Sequence, residues 1–306
     1  MAHRLRGVGL PGDALARLRR RGAAGGRRGV RHAPAPLRRA LTPVGNLASR
    51  ILVAAILLPL ALGVLWLGGW YLVGFGVVVA VLALHELWTM ARDHRPIVIT
   101  GYVGAVAVVL AAEREGPAGM VLVLVPALLL TFVLAAATSR EGASALTSMA
   151  VTAFGVVWVG VGLGSVVVLR DGSFDLVLAV LLGTWVADIG AYAVGRLIGR
   201  RKLAPAISPG KSVEGFVAGV VAGTAVVWWV LYGQGIVGTW EALVVGLAVA
   251  VAGPFGDLLE SYVKRDLGVK DSGTLLAGHG GVLDRIDAML VTAPVALFAL
   301  WLVGGA

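Results

Sequence analysis

The sequence predicts an all-α, polytopic integral membrane bundle of about nine transmembrane helices. Three observations predict it. Mean hydropathy is +0.89, with 58% hydrophobic and only 14% charged residues. Apolar runs near the ~20 residues of a bilayer crossing recur along the chain. Most of the remaining charge collects in the breaks between those runs.

The first 48 residues stand apart. Of 26 Lys and Arg, 12 Arg fall within residues 1–50, against one acid, Asp13. That leaves 14 basic and 16 acidic groups beyond it, so the net charge of +9 belongs to the tail. Residues 1–48 are rich in Arg, Gly, Ala and Pro and carry no sustained apolar face, which predicts a disordered, solvated extension. Its charge suits topogenesis and contact with anionic lipid. It holds no aromatic residue on which bases could stack, so no nucleic-acid partner is expected. The charged stretch is too long for a secretory signal. Residues 49–306 form the expected transmembrane domain.

The apolar spans run over 51–67, 70–91, 97–112, 118–138, 146–169, 174–198, 212–232, 241–262 and 288–304. Turn or charge signals separate them: Gly68-Gly69, 92–96, 113–117, 139–142, 170–172, 199–210 and 233–238. Charge tests the count. With the tail on the cytoplasmic side, the inner segments carry Arg92, Arg95, Arg140, Arg196, Arg200, Arg201, Lys202, Lys211, Lys264, Arg265, Lys270 and Arg285. The outer loops carry only Arg114 and Arg170. This asymmetry fits the positive-inside rule and predicts a cytoplasmic N-terminus. It also puts the loops 199–214 and 257–287 on one face. Gly195 and Gly199, then Gly215, Gly219 and Gly223, have the spacing of close helix packing. Cysteine is absent, which excludes disulfides, thiolate metal sites and cysteine nucleophiles.

The residues that could carry chemistry lie in the second half. Asp257, Glu260, Ser261 and Lys264 are spaced i, i+3, i+4, i+7 and share a helical face. An acid at that depth must be paired, hydrated or bound to a cation. The plainer reading is an ion pair with Lys264 or Arg265. Asp284 and Asp287 stand at the entry to the last span with Arg285 between them. Asp284 alone could simply complement a helix dipole. Together, Asp257, Asp284 and Asp287 would make an all-oxygen site of the kind Mg²⁺ prefers and shares with phosphates.

Gly278-His279-Gly280-Gly281 would leave backbone N–H groups open to a phosphate. Lys264, Arg265 and Lys270 would add cations. The sixth span carries Asp188 and Tyr192 and leads to Lys202, Ser208, Lys211, Ser212 and Glu214. The sequence Gly210-Lys211-Ser212 is not a P-loop: Pro205 stands where its first glycine belongs, and a span rather than a strand precedes it. Pro209-Gly210 predicts a rigid turn. His85-Glu86 lacks the second His of a zinc-protease helix. Glu86, near the inner end of its span, could snorkel outward or support the site from behind; it is not counted in the site.

Ser261, Val263, Lys264-Arg265, Lys270-Asp271, Gly273, Leu276, His279-Gly280-Gly281, Val282 and Asp284-Arg285-Ile286-Asp287 follow one another in an order that resembles the signature of the phosphatidate cytidylyltransferases (CDP-diacylglycerol synthases). Ala277 stands where that family usually has Pro. Asp188, Tyr192 and 208–212 resemble the family too, and the likeness is strongest over 185–290.

The resemblance implies an enzyme of phospholipid biosynthesis that joins CTP to phosphatidic acid, giving CDP-diacylglycerol and pyrophosphate. It implies Mg²⁺, with a second, monovalent cation such as K⁺ in a paired centre. Asp257 and Asp284 match its metal-binding carboxylates, with Asp287 and Asp188 as further candidates. Catalysis would fall to Asp257, Asp284, Lys264 and Arg265. Lys211, Ser208, Ser261, Lys270, His279, Gly280, Gly281 and Arg285 would hold the phosphates. The expected location is a bacterial inner or plasma membrane with the site toward the cytoplasm; a homodimer stays open. Two other readings remain: a CTP-dependent lipid or polyprenol kinase, and an ion-coupled transporter using Asp188 and Asp257 as cation sites.

Overall fold

The computed structural model describes residues 43–138, 144–273 and 280–304. These belong to one compact unit, Pro43–Ala306. Residues 1–42, Arg140 and the stretch 274–279 with His279 lie outside the described residues; residues 43–48, expected in the tail, instead open the first helix.

All nine apolar stretches are helical, but not as nine separate elements. The elements are α1 (Pro43–Leu67), α2 (Gly69–Met90), α3 (Val98–Thr138), α4 (Ala145–Gly172), α5 (Phe174–Ile198), α6 (Val213–Gly233), α7 (Thr239–Asp266), α8 (Leu283–Ile286) and α9 (Met289–Leu302). Among the described residues, seven helices, with Leu283–Leu302 taken as one, are long and apolar enough to cross a membrane. The third and fourth expected spans share α3, which breaks at Gly116 (φ 58°, ψ −146°). The left-handed φ there is open to glycine at little cost. It folds α3 into two arms, with Gly104 of one against Ala127 of the other.

Two devices bring the helices close. A π-helical turn, Val156–Val161, interrupts α4. Just beyond it, a side chain on Gly162 would fall 2.8 Å from the Leu290 backbone, so α4 and α9 touch there. The α5–α6 contact is the glycine crossing expected from sequence: a Cβ on Gly223 would meet the Gly183 carbonyl at 2.8 Å. Between the helices lies one apolar core, including Leu84, Leu87, Val108, Val159, Val177, Val227, Val249, Leu283 and Ala296.

The break after α5 is a small antiparallel ribbon rather than a bare turn. β1 (Lys202–Ala204) pairs with β2 (Ser208–Ser212). Ser212 then caps α6 by accepting from Gly215 N at 3.2 Å. Glu214 anchors the ribbon's start, accepting from the backbone N–H of Arg200 and Arg201. At the opposite end of the bundle, Arg170 donates to the Leu65 and Trp66 carbonyls that end α1. Those carbonyls lack helical partners, and a cation there also complements the helix dipole.

Candidate active site

The site lies at the end of the bundle where α2, α5 and α7 finish and where α6 and the last span begin. α7 supplies the charged face predicted from its spacing. Ser261 Oγ donates to Asp257 Oδ1 at 3.4 Å, and Lys264 Nζ lies 2.8 Å from Glu260 Oε2. Both are i, i+4 contacts along one helix face.

Packing then decides which groups from elsewhere meet this face. Gly256 is the close-approach point. A Cβ there would lie 2.8 Å from Ala288 Cα and from the Asp287 carbonyl oxygen. Without it, α7 and the last span come together one residue before Asp257. The outcome is a group of three carboxylates, Asp257, Glu260 and Asp287, with one oxygen of each within 4.8 Å of the others. Glu260 is 2% exposed, and its Oε1 has no hydrogen-bond partner. A buried carboxylate oxygen among two other carboxylates is costly unless a proton or a cation lies between them. Three oxygen ligands from two helices fit a hard divalent ion.

Asp284 takes a different position. Its Oδ1 lies 2.7 Å from Lys264 Nζ, and its Oδ2 accepts from Gly281 N at 2.8 Å and Ser272 N at 3.3 Å. It belongs to the turn and to Lys264, while Asp287 faces Asp257 and Glu260. Lys264 therefore bridges Glu260 and Asp284 from a position that is 13% exposed. Lys211, reaching in from β2, lies 2.6 Å from Asp257 Oδ2 and donates to the Pro254 carbonyl at 3.2 Å. The ribbon and the segment after α7 thus lie at one end of the bundle. Among the described residues, each lysine ammonium makes two such contacts with its three N–H donors.

Of the remaining expected residues, Ser208 is half-buried on β2, whereas Arg265, Lys270 and Arg285 are exposed. Asp188 is exposed on α5 and is not among the three grouped carboxylates. Gly280 has φ 82°, a conformation that favours glycine. The Gly281 N–H is not open to solvent, since Asp284 takes it.

Two residues escaped the sequence reading. Glu260 was placed on the α7 face but not in the metal set; its i+3 spacing from Asp257 was the available signal. Glu86 is the other: of its two readings the buried, supporting one fits, since it is 3% exposed. Its Oε1 accepts from Val282 N at 2.9 Å, and its Oε2 accepts from Leu283 N at 2.9 Å and Ser272 Oγ at 3.1 Å. Gly273 and Gly281 make room, because a Cβ on either would run into the Glu86 carboxylate.

Comparison with known proteins finds relatives over most of this unit's sequence. The sequence model of the cytidylyltransferase family matches residues 48–303. The chain is 33% identical over 250 residues to the phosphatidate cytidylyltransferase of Staphylococcus haemolyticus (strain JCSC1435), covering 80% of this chain and 96% of that one. The same identity and coverage hold for the proteins of that name from Staphylococcus aureus (strain COL) and Staphylococcus epidermidis (strain ATCC 35984). The match spans the transmembrane unit and the whole of the site just described.

Proposed function

From the chain's membership of the cytidylyltransferase family we propose that it transfers the cytidylyl group of CTP to phosphatidate, giving CDP-diacylglycerol and pyrophosphate. One observation carries the reading: three carboxylates converge from two helices, flanked by the ammonium groups of Lys211 and Lys264.

In this reaction a phosphate oxygen of the lipid attacks the α-phosphorus of CTP. The bond from that phosphorus to the oxygen bridging to the β-phosphate breaks, and pyrophosphate leaves. No protein nucleophile is needed, in keeping with a chain that has no cysteine. The protein's share is positioning and charge neutralisation. Asp257, Glu260 and Asp287 would hold Mg²⁺. When bound, that ion supplies positive charge to the phosphates and the departing pyrophosphate. Lys264 and Lys211, already oriented by their carboxylates, would each donate to phosphate oxygens. Arg265, Lys270 and Arg285 would add charge at the rim, with Ser208 and His279 as further phosphate contacts.

The site is proposed to face the cytoplasm of a bacterial inner or plasma membrane. The twelve-to-two distribution of basic residues between alternate loops supports this side. It would let CTP arrive from water and phosphatidate from the bilayer.

The test is a reconstitution. Purified protein is given labelled CTP and a panel of phosphatidate, diacylglycerol and polyprenol, with and without Mg²⁺. The expected products are CDP-diacylglycerol and pyrophosphate, with phosphatidate alone and only with the ion. A phosphorylated lipid with CDP would instead show a kinase. No consumption of CTP with any acceptor would reject nucleotide chemistry altogether.

A further inference from the structure

Glu86 is buried in the second span, far from the charged segments in sequence, and the reaction described above does not use it. Its three hydrogen-bond donors lie 186 to 197 residues away. Two are the consecutive backbone N–H groups of Val282 and Leu283, at the start of the last span. α8 has no capping side chain of its own. Asp284 is the next residue after Leu283, and Asp287 follows one helical turn later. Glu86 itself stands on a rigid support, because Ala83, Leu84 and Leu87 around it are no more than 1% exposed.

From this geometry we infer that Glu86 is a positioning residue: it fixes the entry of the last span so that Asp287 reaches Asp257 and Glu260 while Asp284 reaches Lys264. Two carboxylates hold the described residues that flank 274–279. Glu86 takes Ser272 Oγ, Val282 N and Leu283 N; Asp284 takes Ser272 N and Gly281 N. Ser272 joins the two grips, giving its hydroxyl to one carboxylate and its N–H to the other. Loss of the Glu86 grip frees the residues that set the azimuth of the last span, on which the direction of Asp287 depends. Groups that orient ligands in this way typically govern metal affinity by about 10–100-fold. The glutamate charge matters as well as its shape. A glutamine would have to turn its NH₂ toward a donor, since both Glu86 oxygens accept.

This inference rests on the proposed metal site, so its test reads metal binding directly. Mn²⁺ binding to the full-length protein in lipid nanodiscs, without substrate, is followed by electron paramagnetic resonance. The Mg²⁺ dependence of turnover is measured in parallel. Glu86→Gln is expected to weaken Mn²⁺ binding by about 10–100-fold and to raise half-saturating Mg²⁺ by the same factor. Ser272→Ala, which removes one neutral donor, is expected to shift both by about three- to tenfold. A folded Glu86→Gln protein with unchanged Mn²⁺ affinity would overturn the inference, whatever its activity. Should Glu86→Gln fail to fold, unchanged affinity in Ser272→Ala would overturn it equally. If the unaltered chain binds no Mn²⁺, the metal reading fails and takes the inference with it. If the chain binds Mn²⁺ and Asp257→Asn abolishes binding while the Glu86 and Ser272 variants do not weaken it, only the inference fails.

Discussion

Lys264 Nζ lies 2.7 Å from Asp284 Oδ1, with the two side chains 13% and 11% exposed. This ion pair ties the end of α7 to the start of the last span. The same ammonium holds Glu260 at 2.8 Å, so one cation compensates two carboxylates in a confined place. Burial raises what is at stake in the pair. Surface pairs contribute little, but removing one partner of a buried pair strands the other charge.

Lys264→Met should therefore cost more than a phosphate contact. It leaves Glu260 and Asp284 facing each other without their shared cation. We expect a loss of about 3–5 kcal/mol of stability and no measurable turnover. Thermal denaturation in detergent, with and without the substitution, reads the first effect. A variant that melts like the unaltered protein would contradict the ion-pair account.

The carboxylates should separate by their response to Mg²⁺. Asp257→Asn, Glu260→Gln and Asp287→Asn each remove charge from the grouped oxygens. Turnover at limiting Mg²⁺ should fall by about 10²–10³-fold and recover in part as Mg²⁺ is raised. Asp284→Asn should lose turnover without such recovery, because its partner is Lys264. Initial rates over a Mg²⁺ series distinguish the two patterns. Near-normal rates for Asp257→Asn and Glu260→Gln at limiting Mg²⁺ would sink the metal assignment.

Gly256 should tolerate no side chain. Even Ala would place a methyl 2.8 Å from Ala288 Cα and the Asp287 oxygen. Both neighbours are backbone and cannot step aside, so the helices must part next to Asp257. Gly256→Ala is expected to lower turnover by at least about tenfold while the protein still assembles in the membrane, as overpacking typically costs ~1–3 kcal/mol. Gly233→Ala, with nothing within 4 Å, is the matched control and should be silent.

The ribbon and the segment after α7 must be reached from one side of the membrane, because Lys211 touches both Asp257 and Pro254. Single cysteines at Pro209 and Asp271, both exposed, should react with an impermeant thiol reagent from the same face. One at Gln234, also exposed, should react from the other. Ser272 is a poor target, being 5% exposed. The chain has no native cysteine, so background labelling is absent. Labelling of Pro209 and Asp271 positions from opposite faces would break the shared site.

The amino-acid sequence by itself determined the helices, their approximate ends and the charged face of α7. Those features are local: a bilayer crossing needs a continuous apolar run, and i, i+3, i+4, i+7 spacing puts Asp257, Glu260, Ser261 and Lys264 on one side of any helix. Tertiary structure alone decided which carboxylates meet. Asp284 and Asp287 look alike in sequence, both acids at one helix entry. Only the approach at Gly256 turns Asp287 to Asp257 and leaves Asp284 to Lys264. The ribbon over 202–212 was hidden for a related reason: Pro209-Gly210 suggests a turn, yet both lie in β2, the turn falls at 205–207, and no local signal marks the pairing of Lys202 with Ser212. Glu86 was the least legible. Two of its three donors are backbone N–H groups, which every residue but proline carries, so no residue type marks them across almost 200 positions. A lone acid in an apolar span announces that a partner exists; only the fold says that the partner is the turn beside the site.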